Sequence, residues 1–302
     1  MGAAPAGAVR TWLFAPADQP ARCLKALASD ADQVIWDLED GVAQGRKDAA
    51  RAALAELLQA RGATAVRRHP WVRVRSPLGA DGRADLALLR QLGALERLVV
   101  PKADGPSLHA LGAAVRTGRW LLLIESARGL WDLARGRMAI PPGVEARLAF
   151  GALDYALDLG IDAGGDEPEL LHARSQIVWM SRVLGLALPI DSVDPAIGGA
   201  ERLAEAARRA RRLGFAGKMA IHPAQLGPIA AAFAPDEATV AWARRVLAAA
   251  VEGEGATRVD DAMVDRPVVE RARAVLAALG EGAGPAPAAA VHRKGRKGDE
   301  PC

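Results

Sequence analysis

The feature that most constrains the fold is a regular alternation of short apolar runs with longer amphipathic segments. Eight runs rich in Val, Ile, Leu and Trp have lengths typical of β-strands that are buried on both faces. They are Thr11–Ala15, Gln33–Asp37, Trp71–Arg75, Arg97–Pro101, Trp120–Ile124, Ala146–Phe150, Ala187–Ile190 and Lys218–Ile221. Segments with helical spacing lie between them, among them Lys47–Gln59, Leu170–Leu184 and Glu201–Leu213. This alternation predicts parallel strands joined by right-handed crossovers.

Eight repeats within about 230 residues favour a closed (β/α)8 TIM barrel. An open doubly wound sheet is the alternative, although no G-x-G-x-x-G fingerprint follows the first strand. Two more helices are predicted after the eighth strand, over Pro235–Val251 and Pro267–Leu279. The expected organisation is a catalytic barrel over 1–233, a helical lid segment over 234–280 and a disordered tail over 281–302.

Composition and charge exclude several classes of function. The 302 residues include 39 Lys plus Arg and 36 Asp plus Glu, a formal net charge of +3. Because part of this excess lies in the last residues, no nucleic-acid partner is expected. The apolar runs are far shorter than the ~20 residues that span a bilayer, and no signal peptide is visible, so we expect no membrane partner and a cytoplasmic location. Cys23 and Cys302 form neither a disulfide framework nor a metal-binding CxxC pair.

Ionisable residues follow nearly every predicted strand, at the end where TIM barrels carry their chemistry. They are Asp37, Glu39, Asp40, Arg73, Arg75, Lys102, Glu125, Asp154, Asp191 and His222. Charges that converge on a barrel mouth have to be paired or bound to a metal. Several carboxylates without a Cys/His cluster suit Mg²⁺ or Mn²⁺, and neighbouring arginines suit a carboxylate or phosphate. The pattern indicates a site for a divalent ion and an anionic oxo- or hydroxy-acid.

Eight segments form a specific combination of motifs along the chain. They are RTWLFAPADQP, ADQVIWDLEDGV, VRVRSP, VVPKAD, LLIESARGL, LAFGALDYALDLG, GFAGKMAIHP and MVDRPVVERA, and they run from about Arg10 to Leu279. In this order they resemble the citrate lyase β-subunit and malyl-CoA lyase family of the HpcH/HpaI aldolase superfamily. The resemblance implies a TIM barrel, usually trimeric or hexameric, that uses Mg²⁺ to cleave or form carbon–carbon bonds in thioesters of CoA or an acyl carrier.

The same resemblance implies a function and a set of site residues. We predict a Mg²⁺-dependent lyase that cleaves a carboxylated 3-hydroxyacyl-CoA, such as citryl-, malyl- or citramalyl-CoA, to an acyl-CoA and a 2-oxo acid. The implied metal ligands are Glu125 and Asp154, the implied substrate-binding residues are Arg73, Asp37 and His222, and the implied catalytic residues are Glu39, Asp40 and Asp265. Asp265 matches an acid that in several family members reaches a neighbouring subunit's site. A homotrimer or homohexamer is therefore expected.

Two positions depart from the family's pattern. Ala15-Pro16-Ala17 stands where VPG is usual, and Arg75 stands where Asn is usual. We expect Arg75 to pair with an acid of the DLED motif, residues 37–40, or to add an anion contact. Asp191 is expected to cap or order a loop, and Lys218 to lie on the surface or to touch a CoA phosphate.

Two other functions stay open at this point. Lys102 follows the fourth strand and can serve as the Schiff-base nucleophile of a class I aldolase. The chain can also be an acyl-CoA-binding subunit that has kept the barrel without turnover. Removal of divalent metal distinguishes the first alternative from the lyase, because only the lyase depends on the metal.

Overall fold

The computed structural model of the chain describes residues 9–62, 69–252, 257–260 and 262–279. Contacts within the chain divide these residues into two units, one over Val9–Ala234 and one from Pro235 onward. The tail predicted over 281–302 lies outside the described residues. That the C-terminal segment acts as a lid stays a prediction.

Eight parallel strands form the first unit's sheet and follow one another around a closed barrel. They are β1 (Thr11–Pro16), β2 (Gln33–Asp37), β3 (Trp71–Arg73), β4 (Arg97–Val100), β5 (Thr117–Ile124), β6 (Gly143–Phe150), β7 (Ala187–Asp191) and β8 (Gly217–Ala220). The barrel is closed because β1 pairs with both β2 and β8. The predicted TIM barrel is confirmed, and the open sheet is wrong.

Nine α-helices lie among the described residues of the barrel unit. They are α1 (Pro20–Leu27), α2 (Lys47–Gly62), α3 (Ala80–Gln91), α4 (Gly105–Ala114), α5 (Ala127–Ala134), α6 (Ala152–Leu159), α7 (Leu171–Val183), α8 (Ala200–Leu213) and α9 (Leu226–Phe233). Single 3₁₀ turns precede α2, α7 and α9, at Gln44–Arg46, Pro168–Leu170 and Pro223–Gln225.

The strands bury both faces, which explains their continuous apolar sequences. One cluster contains only residues of the strands and their immediate flanks, so it fills the barrel interior; its buried members are Trp12, Ile35, Trp71, Val99, Leu121, Leu123, Ala149, Ile190 and Met219. A larger cluster combines the alternate strand positions with helix residues such as Leu54, Leu89 and Leu111. Successive side chains of a strand point to opposite faces, so every second residue enters the barrel.

The second unit is built from two helices and a short hairpin. Its elements are α10 (Glu237–Glu252), β9 (Thr257–Val259), β10 (Ala262–Val264) and α11 (Arg266–Ala277). The two strands are antiparallel, and Ala243, Val246, Val264 and Ala272 form its buried core. The helices match the two predicted after the barrel, whereas the hairpin was not predicted because three-residue strands show no readable alternation. None of the helices within the described residues has the length and apolar character needed to cross a membrane.

Candidate active site

A cavity of about 330 Å³ opens at the carboxyl ends of the barrel strands. Its polar lining residues are Asp37, Asp40, Arg73, Glu125, Asp154 and Ser192. Phe14, Leu123 and Met219 supply apolar wall on the side of the barrel interior. Five of the eight residues predicted to form the site therefore line one cavity.

Arg73 and Asp37 form a bidentate ion pair at the edge of this cavity. The β2–β3 register places the two residues side by side, and both side chains are buried. Arg73 Nε and Nη2 each lie 2.6 Å from a different carboxylate oxygen of Asp37, and Nη1 lies 2.8 Å from Glu39 Oε2. Burial alone would lower the pKa of the guanidinium, but the two carboxylates raise it above its usual value. Arg73 is therefore a permanent, preoriented cation.

The turn after β2 holds Asp37 in place with its own backbone. Asp37 Oδ1 accepts the N–H of Glu39 at 2.9 Å, and Oδ2 accepts the N–H of Gly41 at 2.8 Å. A Cβ atom at position 41 would collide with Asp37 Oδ2, so glycine is required by this close approach. The carboxylate that orients Arg73 is thus itself fixed.

Glu39 lies behind the cavity wall, and Asp40 faces the cavity. Glu39 Oε1 accepts a hydrogen bond from Lys102 Nζ at 3.2 Å. Burial raises the pKa of Glu39, and the positive charge of Arg73 opposes that shift. The Asp40 side chain is about half exposed (56 %), 3.8 Å from Arg73 Nη1. Glu39 is therefore placed to hold the two cations, whereas Asp40 is placed to meet a ligand.

Glu125 is the most strongly perturbed carboxyl group of the cavity. It is 3 % exposed, and Oε1 accepts the backbone N–H of Lys102 at 2.7 Å. Burial, with the charge of Glu39, raises the pKa of Glu125 to about 8, although Lys102 N–H and Arg73 oppose the shift. Lys102 has a positive φ of 45°, a left-handed conformation that is costly for a lysine. That backbone geometry belongs to the turn that aims the N–H at Glu125.

Glu125 and Asp154 offer two oxygen donors to a cation. Asp154 lies in the first turn of α6 and is partly buried, and both residues line the cavity. A Cβ atom at position 151 would collide with Glu125 Oε2, so Gly151 leaves room for this carboxylate. Within the described residues, no group of three or more His, Cys, Asp or Glu side chains forms a complete metal cage. Two hard carboxylates beside a cavity fit Mg²⁺, which keeps several positions for water or substrate.

His222 and Asp265 are not among the residues that line this cavity. His222 follows β8 and is exposed, and its Nδ1 accepts the N–H of Ala224 at 3.2 Å. Asp265 belongs to the second unit, where its exposed carboxylate caps α11 by accepting the N–H of Val268 at 3.2 Å. Their predicted roles in substrate binding and catalysis stay predictions.

Arg75 pairs with two acids of α3. Its Nε lies 2.8 Å from Asp85 Oδ2, its backbone N–H donates to the same oxygen at 3.1 Å, and its Nη1 lies 3.2 Å from Asp81. Because β3 ends at Arg73, Arg75 lies in the loop that leads to α3, which carries both acids. The prediction that Arg75 pairs with the DLED motif is wrong.

Asp191 and Lys218 also differ from expectation. Lys218 Nζ lies 2.7 Å from Asp191 Oδ2, and Arg174 Nε lies 2.9 Å from Asp191 Oδ1. All three residues are buried, and we call them the β7 ion cluster. Although burial opposes it, the two cations lower the pKa of Asp191 to about 2. Asp191 is the centre of a buried ion pair rather than a loop cap, and Lys218 lies neither on the surface nor free for a phosphate.

A family model described as "HpcH/HpaI aldolase/citrate lyase" matches residues 10–223. The chain belongs to this family. The predicted family and the predicted class of enzyme, a carbon–carbon lyase, are confirmed.

Relatives known by sequence or by crystal structure match nearly the whole chain. A citrate lyase subunit beta-like protein of Mycobacterium tuberculosis is 36% identical over 280 residues, covering 89% of this chain and 95% of that protein. The L-malyl-CoA/beta-methylmalyl-CoA lyase of Cereibacter sphaeroides is 32% identical, covering 91% and 95%. The crystal structure of Mycobacterium tuberculosis CitE in complex with magnesium, acetoacetate and coenzyme A has a TM-score of 0.78 at 35% identity, covering 91% of this chain and 100% of that one.

One polar residue of the cavity was not predicted from the sequence. Ser192 directly follows β7 and lines the cavity, and its Oγ accepts the N–H of Ala152 at 3.0 Å. The only sequence signal is a serine beside an acid at the end of the seventh strand. That signal does not reveal a partner 40 residues earlier in the chain.

Proposed function

We propose that the protein is a Mg²⁺-dependent lyase that cleaves a carboxylated 3-hydroxyacyl-CoA to an acyl-CoA and a 2-oxo acid. The observation that carries this proposal is the convergence of Glu125, Asp154 and Arg73 on one cavity. Relatives named citramalyl-CoA lyase and L-malyl-CoA/beta-methylmalyl-CoA lyase support the substrate class. Solved CitE complexes that hold magnesium with pyruvate or with oxaloacetate support a 2-oxo acid product.

Glu125 and Asp154 would hold the metal, for which Mn²⁺ is an alternative to Mg²⁺. The metal supplies positive charge that polarises substrate oxygens. The raised pKa of Glu125 supports this assignment, because a buried carboxyl group next to Glu39 is stabilised as a carboxylate by an added cation. Gly151 supports it as well, since a larger residue would fill the space beside Glu125 Oε2.

Arg73 would bind the substrate carboxylate. A guanidinium has five N–H donors, and hydrogen bonds to Asp37 use two of them. Nη1 also faces Glu39 Oε2 at 2.8 Å, which leaves one donor on Nη1 and one on Nη2 for a charge-assisted contact with the substrate. Asp37 and Glu39 then act as positioning groups, because they fix the guanidinium before the substrate arrives.

Cleavage requires two proton transfers. The substrate's 3-hydroxyl loses its proton as the carbon–carbon bond breaks, and the electron pair passes to the thioester enolate, whose carbon is then protonated. We assign the first transfer to Asp40, which faces the cavity, and the second to Asp265. By the family resemblance, Asp265 would reach the site of a neighbouring subunit in a homo-oligomer of three or six copies, and His222 would contact the substrate.

The exposed apolar residues of the barrel helices support self-association. Trp131 of α5, Leu157 of α6 and Trp179 of α7 each expose at least half of their surface. Burial of these side chains against another copy would remove apolar surface from water, which favours association. Sedimentation velocity is expected to show a trimer or hexamer, and a monomer at micromolar concentration would contradict the assembly.

The Schiff-base alternative is disfavoured by the environment of Lys102. A lysine nucleophile has to be neutral, which calls for a lowered pKa. The pKa of Lys102 is instead raised, because the Glu39 carboxylate outweighs the opposing effect of burial. Borohydride reduction in the presence of substrate is expected to leave no covalent adduct on Lys102.

A turnover screen tests the proposal directly. Purified protein with Mg²⁺ is incubated with citryl-, malyl-, citramalyl- and β-methylmalyl-CoA, and the release of free 2-oxo acid is measured. At least one thioester is expected to turn over with Mg²⁺ and none with EDTA. Activity that persists in EDTA contradicts the metal mechanism, and binding of all four without turnover supports the non-catalytic subunit.

Asp265 is tested by mixing two inactive variants. Asp265→Asn is expected to keep Mg²⁺ binding and assembly and to lose most turnover, and Glu125→Gln to lose metal binding. When their subunits exchange, mixed oligomers contain some sites with an intact metal pair and an intact acid, so part of the activity returns. If exchange is demonstrated by mass spectrometry and no activity returns, Asp265 does not act in a neighbouring subunit.

A further inference from the structure

The first turn of α6 lacks a cap of its own. Some helices of the chain begin with a side-chain cap, as α4 does with Asp104 and α5 with Ser126, whereas others, such as α3 and α8, have none. The residue before α6 is Gly151, which has no side chain. A side chain at position 151 would collide with Glu125 Oε2 and would crowd Glu125 Cβ, so no Ser, Thr, Asp or Asn fits there. The space needed by Glu125 therefore removes the usual N-cap of the helix that carries Asp154.

Ser192 supplies the missing hydrogen bond from another element. Its Oγ lies 3.0 Å from the backbone nitrogen of Ala152, the first residue of α6. The first N–H groups of a helix have no partner within the helix, so an acceptor from outside stabilises them. Ser192 is 1 % exposed and lines the cavity that also contains Asp154, two residues beyond Ala152.

Ser192 is itself held rigidly in place. The preceding residue is Asp191, whose two carboxylate oxygens bind Lys218 and Arg174 at 2.7 and 2.9 Å. This buried ion cluster fixes the end of β7, and the next residue enters the cavity wall. A fixed acceptor defines the position of the α6 N-terminus more sharply than a mobile one.

We infer that Ser192 is a positioning residue: it caps α6 in place of residue 151 and thereby sets the Asp154 carboxylate relative to Glu125. The inference rests on the proposed function, in which these two carboxylates hold Mg²⁺. Groups that orient metal ligands contribute to affinity even though they do not touch the metal, with losses of about 10- to 100-fold on removal. Ser192 thus couples the geometry of β7 to the metal site.

The test measures Mg²⁺ binding by calorimetry and Mn²⁺ binding by electron paramagnetic resonance, independently of turnover. Ser192→Ala is expected to weaken binding by roughly tenfold or more. Ser192→Thr, which keeps the hydroxyl, is expected to stay within about threefold of the wild type. The matched control is Ser107→Ala, which removes a buried serine hydroxyl from the capping box of α4, outside the cavity lining. That control is expected to lower the melting temperature without changing metal affinity.

Each outcome decides the inference. If folded Ser192→Ala binds Mg²⁺ as tightly as the wild type, the positioning role is overturned and the proposed lyase function stands. If the wild type itself binds no Mg²⁺, the proposed function and the inference both fail. If Ser192→Ala does not fold, Ser192→Cys provides the decision, because a thiol is a weaker acceptor of similar size. If Ser192→Cys then binds Mg²⁺ as tightly as Ser192→Thr does, the inference is overturned.

Discussion

Two buried clusters of charged residues lie on neighbouring parts of the barrel, and the pKa values of their central carboxyl groups are shifted in opposite directions. In the cavity, Glu125 has a pKa raised to about 8 by burial and by the charge of Glu39. In the β7 ion cluster, Asp191 has a pKa lowered to about 2, because Lys218 and Arg174 overcome the effect of burial. A buried carboxylate with enough cations around it is a structural element, whereas one with too few is a site for another cation.

Strand alternation decides to which cluster each residue belongs. On β2 and β3, Ile35 and Trp71 fill the barrel interior, so Asp37 and Arg73, two residues further along, face the same side. On β7 and β8, Ile190 and Met219 fill the interior, so the adjacent Asp191 and Lys218 point toward the helices. A shift of one residue along a strand therefore decides whether a charged side chain faces the cavity or packs toward the helices.

Glu125→Gln gives the largest expected effect on activity. The amide keeps the shape of the side chain and removes a metal-binding charge, so turnover is expected to fall by at least about a hundredfold and Mg²⁺ affinity with it. The melting temperature at neutral pH is expected not to fall. Steady-state kinetics, calorimetry and thermal unfolding measure the three quantities. Full activity of this variant at limiting Mg²⁺ would show that Glu125 does not bind the metal.

Asp191→Asn is expected to give the reverse pattern, with a large loss of stability. It leaves Lys218 and Arg174 buried without their shared carboxylate, and breaking such a pair costs about 3–5 kcal/mol. Urea unfolding measures the free energy of unfolding. The control is Glu205→Gln in α8, whose exposed pairs with Arg208 and Arg212 are screened by water and are expected to contribute little to stability. Equal losses of unfolding free energy from the two changes would show that the β7 ion cluster stabilises the fold no more than exposed ion pairs do.

Arg73→Lys tests whether the cavity cluster binds a planar anion. An ammonium cannot reproduce the fork that holds both Asp37 and a substrate carboxylate, so kcat/KM is expected to fall by an amount worth about 2–5 kcal/mol. Arg75→Lys is the matched control, since Arg75 binds Asp85 and Asp81 outside the cavity lining. We expect it to affect stability and to leave kcat/KM within a few-fold. Similar losses of kcat/KM in both variants would contradict the role of Arg73.

The smallest expected effect is a pH dependence of stability in the metal-free protein. The folded pKa of Glu125 lies above its ordinary value of 4.5. A raised pKa stabilises the folded state fully at low pH, and this contribution is lost as pH rises through the folded value of about 8. In EDTA, the wild type is therefore expected to lose stability progressively relative to Glu125→Gln as pH rises from 5 to 9.

Saturating Mg²⁺ provides the control for this pH effect. A bound cation stabilises the ionised carboxylate, so the wild type is expected to lose less stability at high pH when the metal is present. Parallel stability curves for wild type and Glu125→Gln in EDTA would show that Glu125 is ionised throughout the pH range, as Asp191 is.

Much of the fold was predictable because its signals are local. The eight apolar runs and the helices between them predicted the barrel, since period and length depend only on neighbouring residues. The strand ends with Asp37, Arg73, Glu125 and Asp154 predicted the cavity lining, since parallel strands bring their carboxyl ends together. The hairpin of β9 and β10 was missed because its strands are too short for any periodicity.

The sequence by itself determined the barrel and the acids and arginine of its mouth. Only the tertiary structure decided that Arg75 binds Asp85, that Lys218 and Arg174 share Asp191, and that Ser192 caps the helix of Asp154. Each of these contacts joins two elements, and its existence depends on strand register and on which face a side chain takes. Ionisable residues are alike in sequence, and the partners that close around them in the folded chain decide whether they stabilise it or bind a ligand.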